Sequence, residues 1–439
     1  MIWHLLIFLS CSLLLIILSA RIYNSFFNTL SLILVWWLGW SFISVLDLGS
    51  VAFPNTNVEF LALLFGASMV VGSFCFQSKG ASSTSISVEN GNASRLLNLI
   101  GYTLVVPVIL VSLFLLYKTI VIFMNEGVDL MHIRIRFFQI GKNGNLWFSS
   151  KIFSALYFIL SGVCFHFLLI SSMAQLVLLK KKLPMGLLIL LVVIETAFKL
   201  SRGPLYSLGV CGLYLVFCFP EFLKLTKKHV VRIALGGALS VPAFYLISLA
   251  RNNSFFRAVF NYHTVGFTLF SKMMENDNFF ITNDPSFGRM TLGGLDYLYT
   301  IFLRGLGEKM FSSPTHLNLF YQSYKIVTGD KLPTHHWFYT HNSFYTMISS
   351  PYWDFGDIGV VFIGLLIGYY VRKFEISFRD KKDLISLVWL LFIFYNCIMG
   401  IFGATFETPG FWVVLSILVM VTKYSRVNDS QLKGTQQII

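Results

Sequence analysis

Residues 384–404 read LISLVWLLFIFYNCIMGIFGA, a stretch without a single Asp, Glu, Lys or Arg. About 20 apolar residues in helical form cross the hydrocarbon core of a bilayer. Lipid offers no partner to backbone N–H and C=O groups, so a stretch of this kind satisfies them within its own helix. The same pattern recurs along the chain. Further apolar spans lie near 2–20, 27–46, 58–76, 97–123, 152–179, 183–199, 204–219, 231–249, 356–371 and 409–424. The whole chain is 56% hydrophobic and 12% charged, against about 25% charged in an average soluble domain. The solvent for most of this surface is lipid.

The connectors set an orientation. Basic residues of short loops stay on the cytoplasmic side. Alternate connectors collect them: Arg21; Lys79 and Arg95; Lys180, Lys181 and Lys182; Lys224, Lys227, Lys228 and Arg232; then Arg372, Lys373, Arg379, Lys381 and Lys382. The tail adds Lys423, Arg426 and Lys433, whereas the connectors at 47–57 and 405–409 have none. The pattern predicts an all-α polytopic membrane protein of about eleven transmembrane helices, N-terminus outside and C-terminus inside. Residues 1–250 hold helices one to eight, 251–355 form a large helical outer loop, 356–424 hold helices nine to eleven, and 425–439 are a cytoplasmic tail. No basic residue precedes the first span, which argues for a retained helix rather than a cleaved signal peptide. Residues 77–95, QSKGASSTSISVENGNASR, read as a cytoplasmic linker.

The net charge of +13 is largely this inside bias, and no nucleic-acid-binding motif accompanies it. All six cysteines lie in or at the ends of apolar spans, so the outer loop has no disulfide framework. Gly293–Gly294 and Gly305–x–Gly307 complete neither a dinucleotide nor a phosphate-loop pattern. No cofactor is expected.

Most polarity outside the helices lies in one stretch. Residues 251–357 carry eight Lys/Arg, eight Asp/Glu and five His. A chain that only anchors or conducts has little need of such an insert, and it reads as a substrate-handling lid. A second outer segment, 125–150, contains MHIRIRFF, with Ile133, Ile135 and Phe137 alternating against His132, Arg134 and Arg136. It reads either as an interfacial segment beside lipid phosphates or as a headgroup contact that feeds the site.

Three constellations could carry chemistry. The first is IETAFKLSRGP at 194–204. Glu195 and Lys199 are four apart and share a helix face; Arg202 follows, and Pro204 starts the next span. Charges at this depth pair or line a wet cavity. The group is either an ion pair that fixes the hairpin or an anion seat, for which the guanidinium fork suits phosphate oxygens. The second is the set Arg251, Arg257, Arg289 and Arg304, each of which reads either as solvated or as one contact to an anionic substrate.

The third is HHWFYTHNSFYTMISSPYWDFGDIG at 335–359. Trp337, Tyr345, Tyr352 and Trp353 suit an interfacial belt. With Asn342 they also suit sugar rings, whose C–H faces stack on aromatics. His335, His336 and His341 lack the spacing of a metal site, and none is expected. An imidazole that moves a proton fits better. Asp354 and Asp357 stand beside it, and Asp357 has a second reading as the cap of the following helix.

The SRGP turn at 201–204, the large late outer loop and HNSFYTMISSPYWDFGDIG running into the ninth span together resemble the Wzy-type O-antigen polymerases, also called oligosaccharide repeat unit polymerases. The resemblance covers the topology of nearly the whole chain and about forty residues of motif. It implies a GT-C-like glycosyltransferase of the bacterial inner membrane, with its site facing the periplasm. Its substrates would be undecaprenyl-pyrophosphate-linked oligosaccharides, with the growing glycan transferred to the non-reducing end of a new lipid-linked unit. It also implies a chain-length-regulating co-polymerase of the Wzz type as partner, beside the bilayer itself, and no nucleotide sugar. One departure from the wider GT-C enzymes is the lack of an Asp-x-Asp-like motif in the first outer loop, where Asp47 stands alone.

On this reading Arg202, backed by Arg251, Arg289, Arg304 and Lys199, meets the pyrophosphate. His341, then His335, Asp354 and Asp357, takes the acceptor proton. Trp337, Asn342, Tyr345, Tyr352 and Trp353 meet the sugar. An O-antigen ligase, with lipid A–core as acceptor, shares most of these features. A polysaccharide flippase or other transporter would instead spread polar residues through the midplane of many helices.

Overall fold

A computed structural model describes residues 2–46, 56–76, 86–127, 151–199, 201–223, 255–274, 291–295, 298, 346–403 and 405–436. Among the described residues every regular element is helical and there is no strand. In chain order the helices are α1 (Ile2–Tyr23), α2 (Thr29–Ser44), α3 (Thr56–Phe74), α4 (Ile86–Glu126), α5 (Lys151–Leu179), α6 (Leu183–Lys199), α7 (Gly203–Cys218) and α8 (Pro220–Leu223). Then follow α9 (Phe255–Met274), α10 (Ser349–Lys381), α11 (Leu384–Met399), a 3-10 turn at Thr405–Glu407 and α12 (Pro409–Gln436).

Five described helices are long and apolar enough to cross a membrane: α1, α3, α4, α5 and α10. Four more, α2, α7, α11 and the Pro409–Ser425 part of α12, are apolar but shorter. The apolar stretches read from the sequence fall on these helices and on α6, apart from 231–249, which lies outside the described residues.

The chain divides into two compact units. The first comprises Met1–Gly80, Phe256–Ile376 and Ile393–Trp412; the second comprises Ala81–Phe255, Ser377–Phe392 and Val413–Ile439. In the first, α1, α2 and α3 pack on one another, and small residues bring α3 against α10. A Cβ on Gly364 would stand 2.7 Å from the Ser68 Cβ, and one on Gly368 would overlap the Met69 carbonyl oxygen. Without a hydrophobic driving force between helices in lipid, close approach of small residues is what holds such a pair.

The start of α2 shows how the unit disposes of orphan amides. Asn28 caps the helix, its Oδ1 accepting from Ser31 N at 2.8 Å. Glu375 of α10, fully buried, accepts from Thr29 N at 3.1 Å. Two of the four N–H groups that a helix start leaves open are thus satisfied, one of them by a carboxylate at the positive end of the helix dipole.

In the second unit α4, α5 and α6 pack on one another and α7 joins α6. Leu115, Tyr157, Ile194 and Phe198 form a buried cluster among them.

Two boundaries differ from the sequence reading. The linker drawn over 77–95 is already helical from Ile86, and Ala93 and Ser94 are buried. Ser94 donates to Gln175 at 2.9 Å, so a Ser/Asn/Gly-rich composition here marks helix packing as well as a connector. The stretch 251–355, read as one outer loop, also contributes to the helical body. Its helix α9 buries His263, Phe267 and Phe270. Phe267 meets Trp37 edge-on at 6.0 Å, and His263 stacks on Trp40 at 4.0 Å. The end of the same stretch, from Ser349, already belongs to α10.

Candidate functional site

In the second unit the hairpin between α6 and α7 carries the charges. Glu195 and Lys199 fall on the last turns of α6, and their spacing of four puts them side by side. Lys199 Nζ lies 2.8 Å from Glu195 Oε2, with both side chains almost fully buried. The ammonium also donates to Ser161 Oγ at 3.4 Å and lies over the rings of Tyr157 at 5.5 Å and Phe198 at 5.4 Å. Tyr157 in turn shares a 2.8 Å hydrogen bond with Ser112 of α4. The ion pair that fixes the hairpin is therefore present, knitted to α4 and α5 by hydroxyls and ring faces. A cation in the last turn of α6 also sits favourably against the negative end of the helix.

Arg202 occupies the N-cap of α7, with Pro in the first turn. Its carbonyl accepts the helical bond from Tyr206 N at 3.0 Å. The preceding Ser201 Oγ accepts from Gly203 N at 3.4 Å. Arg202 is part-exposed, whereas Glu195 and Lys199 are buried. Glu195 and Lys199 pair with each other, and Arg202 follows three residues on, at the start of α7. The dipole of a helix start favours an anion there.

In the first unit the start of α10 organises the acidic and aromatic candidates. Gly356 has φ +61° and ψ −148°, a conformation that side chains resist, and it breaks α10. Tyr352, Trp353 and Asp354 lie before the break and Asp357 just after it. Asp354 is fully buried and its Oδ2 accepts from Thr291 N at 2.6 Å. The carboxylate thus pins the turn at 291–295 to the helix. That turn is held closely elsewhere too, since a Cβ on Gly294 would overlap the Thr408 carbonyl oxygen. Asp357 is exposed, in the first turn of the resumed helix, where a negative charge is favoured. Tyr352 and Trp353 both meet Phe270 edge-on, at 5.5 and 6.0 Å. These two rings therefore pack against α9.

The structure thus groups Tyr352, Trp353, Asp354 and Asp357 in one unit, and Glu195, Lys199 and Arg202 in the other. His335, His341, Trp337, Asn342, Tyr345, Arg251, Arg289 and Arg304 lie outside the described residues, as do Arg134, Arg136 and the 125–150 segment beyond Gly127. Among the described residues no three His, Cys, Asp or Glu side chains converge as metal ligands would.

Sequence reasoning passed over His263. It is buried in a box of Trp40, Trp36 at 5.4 Å and Phe402 at 4.8 Å. The signal was available, because Phe260, His263, Phe267 and Phe270 recur at helical spacing. The Thr291–Asp354 contact had no such signal, since it joins positions sixty-three apart.

No family model, curated protein or solved structure matches this chain.

Proposed function

We propose that this chain is a multi-pass glycosyltransferase of the bacterial inner membrane, with about eleven crossings and a GT-C-like body. It polymerises undecaprenyl-pyrophosphate-linked oligosaccharide units on the periplasmic side, in O-antigen or related surface-glycan synthesis. The growing chain leaves its lipid carrier and joins the non-reducing end of a new unit.

The observation that carries this reading is the placement of Arg202, part-exposed at the N-cap of α7. The buried Glu195–Lys199 ion pair closes α6 three residues earlier in the chain. A lipid pyrophosphate gains negative charge as the glycosidic bond breaks. A fixed guanidinium beside it stabilises that transition state more than the ground state. Arg251, Arg289 and Arg304 are further candidates for the same anion, and Lys199 supports Arg202 from within the ion pair. His341 is the first candidate to take the proton of the acceptor hydroxyl, with His335, Asp354 and Asp357 behind it. Trp337, Asn342, Tyr345, Tyr352 and Trp353 are the candidate sugar contacts. A co-polymerase that sets chain length is the partner this role calls for.

The test is the surface-glycan ladder of a strain lacking the gene, with a complemented control. Collapse to core plus one unit supports polymerisation. Loss of every unit-bearing band with lipid-linked polymer outside identifies a ligase, and single lipid-linked units trapped inside identify a flippase. Orientation is tested separately with reporters inserted after residues 182 and 382, expected inside, and within 128–150, expected outside.

A further inference from the structure

The face of the second unit opposite the α6–α7 hairpin along α6 gathers basic residues around an aromatic cluster. The α5–α6 connector supplies Lys180, Lys181 and Lys182, and the end of α10 supplies Arg379, Lys381 and Lys382. All six are exposed; the acidic residues near them in the chain are Asp380 and Asp383 at the end of α10 and Glu221 in α8. Asp383 is already used at the start of α11, where its Oδ1 accepts from Ser386 N at 2.7 Å. Between the two basic segments sit Phe219, Phe222 and Phe378, with Phe219 and Phe222 each within 5.0 Å of the Phe378 ring.

Two of these lysines occupy an unusual backbone conformation. Lys180 has φ +57° and Lys382 has φ +53°. Each follows the end of a long helix, the position where glycine is the common occupant because a Cβ crowds the neighbouring carbonyl. Both lysines also reach the same residue. Lys180 Nζ donates to the Phe222 carbonyl and to the Val177 carbonyl, each at 2.8 Å, and Lys382 Nζ lies 5.7 Å from the Phe222 ring centre. An ammonium has three N–H donors, so Lys180 keeps one for a further acceptor. Arg379 lies over the Phe219 ring at 5.6 Å.

We propose that this cluster is a seat for the phosphate of an anionic phospholipid in the cytoplasmic leaflet. Basic residues at that face attract anionic lipid by about fivefold in affinity for each Lys or Arg near the surface. Aromatic rings beside them suit the depth at which headgroup meets acyl chain. The inference rests on the orientation proposed above, but not on the polymerase reaction.

The full chain is purified in mild detergent and supplied with mixed micelles containing phosphatidylglycerol or phosphatidylcholine. Retained lipid is counted by native mass spectrometry. The wild-type chain is expected to retain phosphatidylglycerol in preference. Lys180→Gly with Lys382→Gly is expected to weaken retention about 30-fold in a chain that stays folded, since glycine suits both conformations. Lys180→Arg with Lys382→Arg is expected to keep the lipid. Equal retention by the glycine variant, or equal loss in the arginine variant, would overturn the proposal. So would release of bound lipid by millimolar inorganic phosphate, which would mark a site for free phosphate. Polymer length is read independently on the glycan ladder, so failure of either idea leaves the other standing.

Discussion

Lys199 Nζ and Glu195 Oε2 stand 2.8 Å apart at the end of α6, both almost fully buried. Neither charge has bulk water to fall back on, so each depends on the other. Removing one partner from such a pair costs about 3–5 kcal/mol, while replacing both with apolar residues of similar volume is near neutral. Glu195→Gln and Lys199→Met are each expected to lower the melting temperature in detergent. Glu195→Leu with Lys199→Met is expected to recover most of it. Single variants that melt like wild type would show that the pair contributes nothing to folding.

Arg202 sits at the N-cap of α7, three residues after Lys199 in the chain. Arg202→Ala is expected to leave the melting temperature within a few degrees and to cut the proposed polymerisation by about 10²–10³-fold, the usual loss for one donor to a developing anion. Arg202→Lys keeps the charge but loses the bidentate fork, and is expected to fall between the two. Unchanged polymer length and yield in Arg202→Ala would remove the pyrophosphate role.

Gly368 lets α10 approach the backbone of α3 at Met69. Gly368→Ala must push the helices apart, at a cost of about 1–3 kcal/mol for an overpacked contact. Gly162→Ala is the control. It lies inside α5 with open space around its Cβ position and is expected to gain up to about 1 kcal/mol in helix propensity. Matching melting curves for the two variants would argue against the close crossing.

Glu375 closes the start of α2 through Thr29 N. Glu375→Leu leaves that amide buried without its acceptor, a loss of about 1–3 kcal/mol. Glu375→Gln retains a side-chain oxygen and is expected to be milder. Hydrogen exchange at the first turn of α2 should rise in the leucine variant. Protection equal to wild type would mean that the amide has found another acceptor.

Asp354 holds the turn at 291–295 through Thr291 N. If this anchoring is its main role, Asp354→Asn, which keeps an acceptor oxygen, retains activity within a few-fold, while Asp354→Ala loses it together with stability. A large loss of activity in a stably folded Asp354→Asn would instead make the carboxylate a participant in proton transfer.

The helices were legible from the sequence because lipid imposes a local rule. A stretch such as 384–404 satisfies its own backbone or cannot reside in the membrane. The Glu195–Lys199 pair was legible too, since a spacing of four fixes which helical side chains are neighbours. Tertiary structure decided the contacts that join distant positions: Thr29 with Glu375, Thr291 with Asp354, and Gly368 with Met69. It also decided that α9, from a stretch that reads as an outer loop, buries His263 beneath Trp40. Periodicity along one helix reports which face is apolar. Only the packing of helices against each other determines what that face meets, because burial of a polar or aromatic side chain is settled by partners far away in the chain.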